Sequence, residues 1–191
     1  PLSAPGLPLY ALAFDVPANS QQGLDSVVVA SLRDFTAGVR LTATPGSESP
    51  FVRLDGATPS DPGTFLRLFE LAPDGSRLLL YRLDARAIGS NRPRAATEIN
   101  RLTGGSLGNG ASRLYSTGAL GPTLWQGGDG TAERRYLETV RLVTRQFAQL
   151  AEIGIGQTRW QLVVTYLPYP DECLDVWQGH LDPSTPGHDP A

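Results

Sequence analysis

The first eighty-odd residues alternate apolar and polar positions in short runs separated by turn residues. Tyr10 to Val16 (YALAFDV) is mostly apolar, and Ser26 to Leu32 (SVVVASL) carries the valine richness of a buried strand. Val39 to Thr44 (VRLTAT), Phe51 to Leu54 (FVRL), Thr64 to Leu71 (TFLRLFEL) and Arg77 to Leu83 (RLLLYRL) continue the series. Between the last two lies Pro73-Asp74-Gly75-Ser76. Proline presets φ and glycine accepts a positive one, so this pair predicts a hairpin. Six short strands with such turns predict a sandwich, an open barrel or a strongly twisted sheet.

The pattern changes twice more. From Gly89 to Gly130 the chain is rich in Gly, Asn, Ser and Thr and shows no period, which predicts a long loop. From Thr131, apolar residues recur at spacings of four and three: Tyr136, Val140, Val143, Phe147 and Leu150. This is one face of a helix of about six turns. Thr131 is its expected N-cap, Glu133 complements the positive end of the dipole, and Gly154 is the expected stop. Arg134, Arg135, Arg141 and Arg145 fall off that face and read as solvated. A Gly-containing turn then leads to Trp160 to Thr165 (WQLVVT), a strand-like run. Helix followed closely by strand looks like half of an α/β unit. The fold class expected is α+β: a β-rich accessory segment over 1–118, then a helix-strand segment over 119–191 with a proline-rich tail.

Composition narrows the function classes. The 191 residues suffice for a real core in one domain or two small ones, and the apolar content of 40% with 18% charged suits a globular chain. A net charge of −3 argues against a nucleic-acid polymer as partner. No apolar run approaches the roughly 20 residues that span a bilayer. A single cysteine, Cys173, excludes an internal disulfide framework. All sixteen basic residues are arginine, a feature of composition more than of function, and methionine is absent. The missing initiator leads to the expectation of a processed chain, or of one cut from something longer.

The candidate chemistry lies in Tyr166 to Pro183 (YLPYPDECLDVWQGHLDP). Ligand sites in open α/β sheets lie beyond the carboxyl ends of strands, which is where Asp171 stands. Asp171 and Asp175 are four apart, so a helical turn puts both on one side, where a cation would relieve their repulsion. The competing reading makes Asp171 a helix cap, with Glu172 beside it at the dipole. Cys173 and His180 are about two turns apart on a helix, roughly 10 Å, too far for a thiolate–imidazole pair. Cys173 therefore reads as a buried structural residue, and His180 and His188 as solvated tail residues. The Gly104 to Gly110 run lacks the Lys-Ser/Thr of a phosphate loop, and there is neither a Gly-x-Ser-x-Gly elbow nor a His-Glu-x-x-His.

The run from Tyr136 to Gly179 resembles the type I phosphodiesterase/nucleotide pyrophosphatase family of the alkaline phosphatase superfamily, in which a long helix leads to an apolar strand and a Tyr-x-Pro-x-x-Asp-type end. DSVVVAS at Asp25, SPFVRL at Ser49 and FLRLFELAPDGSRLLLYRL at Phe65 resemble the accessory segment of some bacterial members. The resemblance implies a helix-strand piece of an alkaline-phosphatase-like core, a divalent zinc or manganese ion in the parent protein, Asp171 as a ligand, and a phosphate-ester substrate. It also implies a periplasmic or extracellular setting. The family's histidine four residues after the aspartate is here Asp175, a departure that sets zinc in doubt and leaves a harder metal. The family's nucleophile, first metal-binding Asp, Asp-His pair and final histidine have no counterpart. Two ions about 4 Å apart and an activated nucleophile are what such chemistry needs. The expectation is thus a partial or degenerate hydrolase, inactive as this chain, with no catalytic residue of its own. The alternative is a non-catalytic β-rich binding module for a glycan or a protein partner, and self-association is a further expectation from exposed apolar surface.

Overall fold

The computed structural model describes residues 8–17, 22–42, 47–58, 61–108, 110–156 and 161–184. The fold is mixed α+β and divides into two compact units, Pro1–Ser106 and Leu107–Ala191.

The first unit holds six strands in two antiparallel sheets of three. One contains β1 (Tyr10–Phe14), β2 (Ser26–Ala30) and β3 (Val39–Thr42); the other contains β4 (Val52–Leu54), β5 (Thr64–Leu71) and β6 (Leu78–Asp84). All six expected strands are present: β5 has the expected bounds, β1, β2 and β4 are one or two residues shorter, β6 starts and ends one residue later, and β3 is described as far as Thr42. The sheets share one core: Leu9, Val27, Val29 and Leu41 meet Leu54, Leu66 and Leu68. Period two makes this possible. In β5 Leu66 and Leu68 face the shared core, while Phe65, Arg67 and Phe69 point the other way. That other face is covered too. Arg67 Nε donates to the Ser49 carbonyl at 2.8 Å, its guanidinium pairs with Glu48 at 3.2 Å, and it lies over the rings of Phe51 and Phe69. Tyr81 stacks on Phe69 with centroids 4.9 Å apart.

The hairpin between β5 and β6 closes as its sequence requires. The Ala72 amide donates to the Arg77 carbonyl at 2.8 Å, and Gly75 takes a φ of 75°. Asp74 Oδ1 accepts from the amide and hydroxyl of Ser76, which holds the Asp74 carboxyl below its usual range. A bulge between Leu68 and Glu70 adjusts the register. The Leu24 amide donates to the Pro73 carbonyl at 2.8 Å, tying this turn to the other sheet.

The stretch expected to be a long loop contains two helices, α1 (Pro93–Thr103) in the first unit and α2 (Ala111–Ser116) in the second. Their signals are local and weakly apolar. Pro93 starts α1 at its first turn and Gly104, at φ 73°, ends it. Asn100 anchors α1 by exchanging hydrogen bonds with the backbone of Ile88 at 2.8 and 3.0 Å.

The second unit is helical. α3 runs over Thr131–Gly156, and α4 over Asp171–Leu181. In α3 Tyr136, Val140 and Val143 are buried as expected, whereas Phe147 and Leu150 are half-buried. The buried stripe instead takes in Ala132, Thr139 and Gln146. The two polar members are satisfied: Thr139 donates to the Arg135 carbonyl at 2.9 Å, and Gln146 Oε1 accepts from the Leu107 amide at 2.7 Å. Thr131 is the first helical residue and not the cap. Asp129 Oδ1 accepts from its amide at 3.0 Å, and the Gly130 carbonyl takes the amide of Arg134. The helix also continues through Gly154 to Gly156, because one glycine costs only about 1 kcal/mol inside a helix. Arg134, Arg141 and Arg145 are exposed, while Arg135 donates to the Leu120 carbonyl at 2.8 Å.

The expected strand after α3 does not form. Trp160 lies outside the described residues, and 161–167 belong to no strand or helix. A strand exists only with a neighbour to pair with, and no such neighbour lies beside this run among the described residues.

Candidate functional site

The first turn of α4 begins at Asp171 after Pro168 and Tyr169, both buried. Asp171 is not a side-chain cap: the N-cap position is Pro170, and no side chain caps the helix. Asp171 and Glu172 nonetheless sit at the positive end of the dipole. Asp171 and Asp175 are both exposed, one turn apart on α4.

What holds α4 in place is a network of aromatic and carboxylate side chains that periodicity did not reveal. Tyr115 of α2 and Tyr136 of α3 stack at 4.9 Å, and the Trp177 ring stands edge-on to both at 6.0 and 5.3 Å. The polar tips are bonded in series. Trp177 Nε1 donates to Tyr115 Oη at 3.1 Å, which donates to Glu133 Oε1 at 2.6 Å. The same Glu133 oxygen accepts from the Leu124 amide at 3.0 Å. A second chain runs through Ser112, whose hydroxyl lies 3.0 Å from Tyr136 Oη and donates to Glu172 Oε2 at 3.2 Å. Tyr136 Oη also donates to the Glu172 carbonyl at 3.3 Å. Burial pushes both phenols well above their ordinary pKa. The bond to Glu133 adds to this for Tyr115, and nearby Cys173 adds to it for Tyr136.

The remaining candidates fall around this network. Cys173 is half-buried, not fully buried. His180 stacks on Trp125, centroids 4.1 Å apart and planes 15° off parallel, so it is packed and not a free tail residue. His188 lies outside the described residues. Among the described residues no three His, Cys, Asp or Glu side chains gather closely enough to hold a metal ion. Two exposed carboxylates on one helix fall short of the three or four protein ligands that fix a divalent ion. The donor set here therefore does not fit a held zinc or manganese ion, and no chemical step follows from it.

The first unit has a cleft of about 300 Å³ lined by Arg53, Asp55, Asp61, Asn100 and Arg101. Both of its arginines are already paired. Arg53 pairs with Asp55 at 2.6 Å and donates to the Leu102 carbonyl, and Arg101 pairs with Glu98 at 2.7 Å.

The most unusual surface of the described protein is segment 161–167. All seven residues are exposed, and five are large and apolar: Leu162, Val163, Val164, Tyr166 and Leu167. No backbone hydrogen bond is formed from 161–167 to any other described residue. Soluble proteins cover such a run unless it serves as an interface. Among the described residues no helix is long and apolar enough to cross a membrane. Comparisons with protein-family models, with curated proteins and with solved structures return no match for this chain.

Proposed function

We propose that this chain is a non-catalytic, protein-binding module that donates segment 161–167 as a strand to a sheet outside its described part. The observation that carries this reading is the exposure of five apolar side chains on a segment that makes no backbone hydrogen bond to another described residue. Its residues are those of a strand, and an edge supplied from elsewhere would satisfy both the amides and the apolar faces. Pro168 and Tyr169, both buried, support the reading by fixing the end of the segment where it meets α4. Hydrogen exchange tests it. The amides of 161–167 are expected to exchange freely in dilute protein and to become protected when the acceptor edge is present. Free exchange of these amides under every condition, concentrated protein and cell extract included, removes the reading.

Asp171 and Asp175 support a second reading, in which the acceptor sheet is the core of a metal-dependent phosphodiesterase or nucleotide pyrophosphatase and this chain is its partial or degenerate piece. In that setting the segment is a core strand, and Asp171 stands just past its carboxyl end. The chain alone is then expected to bind zinc or manganese only weakly and to leave phosphate esters intact. Calorimetric titration of both ions into wild type and Asp171→Asn tests this. Tight stoichiometric binding that disappears in the variant, with phosphodiester hydrolysis that follows the protein through purification, would show a complete site and overturn it.

A further inference from the structure

We infer that the cleft of the first unit is a binding site for a small zwitterion, a free α-amino acid, whose carboxylate meets Arg53 and Arg101 and whose ammonium meets Asp55 and Asp61. The inference is independent of segment 161–167, which belongs to the other unit.

The walls of the cleft come from separate stretches of chain. Arg53 belongs to β4, Asp55 and Asp61 to the connection from β4 to β5, and Arg101 to the last turn of α1. Its volume of about 300 Å³ lies at the lower end of the range for small-molecule sites. Its charged side chains are two arginines and two aspartates, so the lining as a whole is neutral. An inorganic phosphate or a lone cation would leave one sign of that lining unanswered. A ligand with one charge of each sign answers both. Gly56, Ala57 and Gly104 complete the wall without bulk or charge, which leaves room for a side chain on the ligand.

Both guanidinium groups are oriented before a ligand arrives. Arg53 Nε donates to Asp55 Oδ1 at 2.6 Å and its Nη1 to the Leu102 carbonyl at 3.0 Å, which leaves Nη2 without a partner among the described residues. Arg101 Nε and Nη2 donate to the two carboxylate oxygens of Glu98 at 2.9 and 2.7 Å, which leaves Nη1 in the same state. Each arginine therefore has one terminal nitrogen to offer and an orientation already set. Two such donors take a carboxylate by charge-assisted hydrogen bonds at little ordering cost. For the ammonium, Asp55 keeps its second oxygen. Asp61 Oδ2 accepts from the Thr58 amide at 2.8 Å, which leaves Oδ1. These carboxylates share the cleft with the carbonyl end of α1, where the helix dipole also favours a positive charge.

Titration calorimetry of the full chain tests the inference, with glycine, L-serine and L-glutamine as probes and acetate, methylammonium and inorganic phosphate as controls. At least one of the amino acids is expected to bind one-to-one with a Kd of about 1 mM or tighter. Each control carries a single sign of charge and is expected to bind about tenfold more weakly or worse. Arg101→Gln and Asp55→Asn are each expected to weaken the amino acid by about tenfold or more. Both side chains are more than half exposed, so circular dichroism should show both variants folded. Amide chemical shifts of the wild type give a measurement that needs no variant: those of 53–58 and 100–104 are expected to move as the amino acid is added. No binding by any of the three amino acids up to about 10 mM overturns the inference. So does a control that binds as tightly as the amino acid, binding indifferent to both substitutions, or shifts that move only elsewhere in the chain.

Discussion

β5 and segment 161–167 are two stretches of similar composition with opposite fates. TFLRLFEL and QLVVTYL are both apolar, β-prone and free of proline and glycine. In β5 five consecutive residues, Phe65 to Phe69, are buried, and both edges are paired, to β4 and β6. Across 161–167 all seven residues are exposed. The difference lies outside the segments. β5 has a turn of four residues that delivers β6 to its edge, whereas 161–167 is followed at once by Pro168 and then by α4. Strand-forming composition supplies the readiness to pair, and only a neighbour turns it into burial.

Substitutions to alanine should separate the two stretches most sharply. Leu66 is fully buried between the sheets, so Leu66→Ala should destabilise the first unit by about 2–5 kcal/mol in urea unfolding. A loss below about 1 kcal/mol would mean that the two sheets do not share a core. The same change at the exposed end of the comparison, Val164→Ala in dilute protein, should move stability by no more than about 0.5 kcal/mol. A large loss there would show that the segment is packed within its own chain.

Between these extremes lie the buried phenols of the helical unit. Tyr115 and Tyr136 have folded-state pKa values raised above those of an unfolded tyrosine, chiefly by burial. The folded protein then holds these protons more tightly than the unfolded chain. Their contribution is complete below about pH 10 and is lost as pH rises above it. Phenolate absorbance should therefore show two tyrosines that ionise only with loss of helical circular dichroism, and Tyr115→Phe should weaken that coupling. Ionisation of all six tyrosines in the intact fold would contradict the burial of this pair.

The strands and the long helix were legible in the sequence because their causes are local. Alternation marks β1 to β6, Pro73 to Ser76 marks the hairpin, and the spacing from Tyr136 to Val143 marks the face of α3. α1 and α2 were not, since their apolar content is low and glycines surround them. The anchor network was also hidden: Ser112, Tyr115, Glu133 and Glu172 lie up to 60 positions apart, and no spacing rule links them.

The sequence by itself thus determined which segments are able to form strands and helices, and where turns end them, because those choices depend on neighbours a few positions away. It also determined that Asp171 and Asp175 stand one turn apart. Only the tertiary structure decided that the two sheets close on one core, that Gln146 and not Phe147 enters the buried stripe of α3, and that Trp160 to Thr165 yields no strand over its described residues. Burial and pairing are settled by groups far away along the chain. A segment that finds no such group keeps its apolar face in water until another chain supplies one.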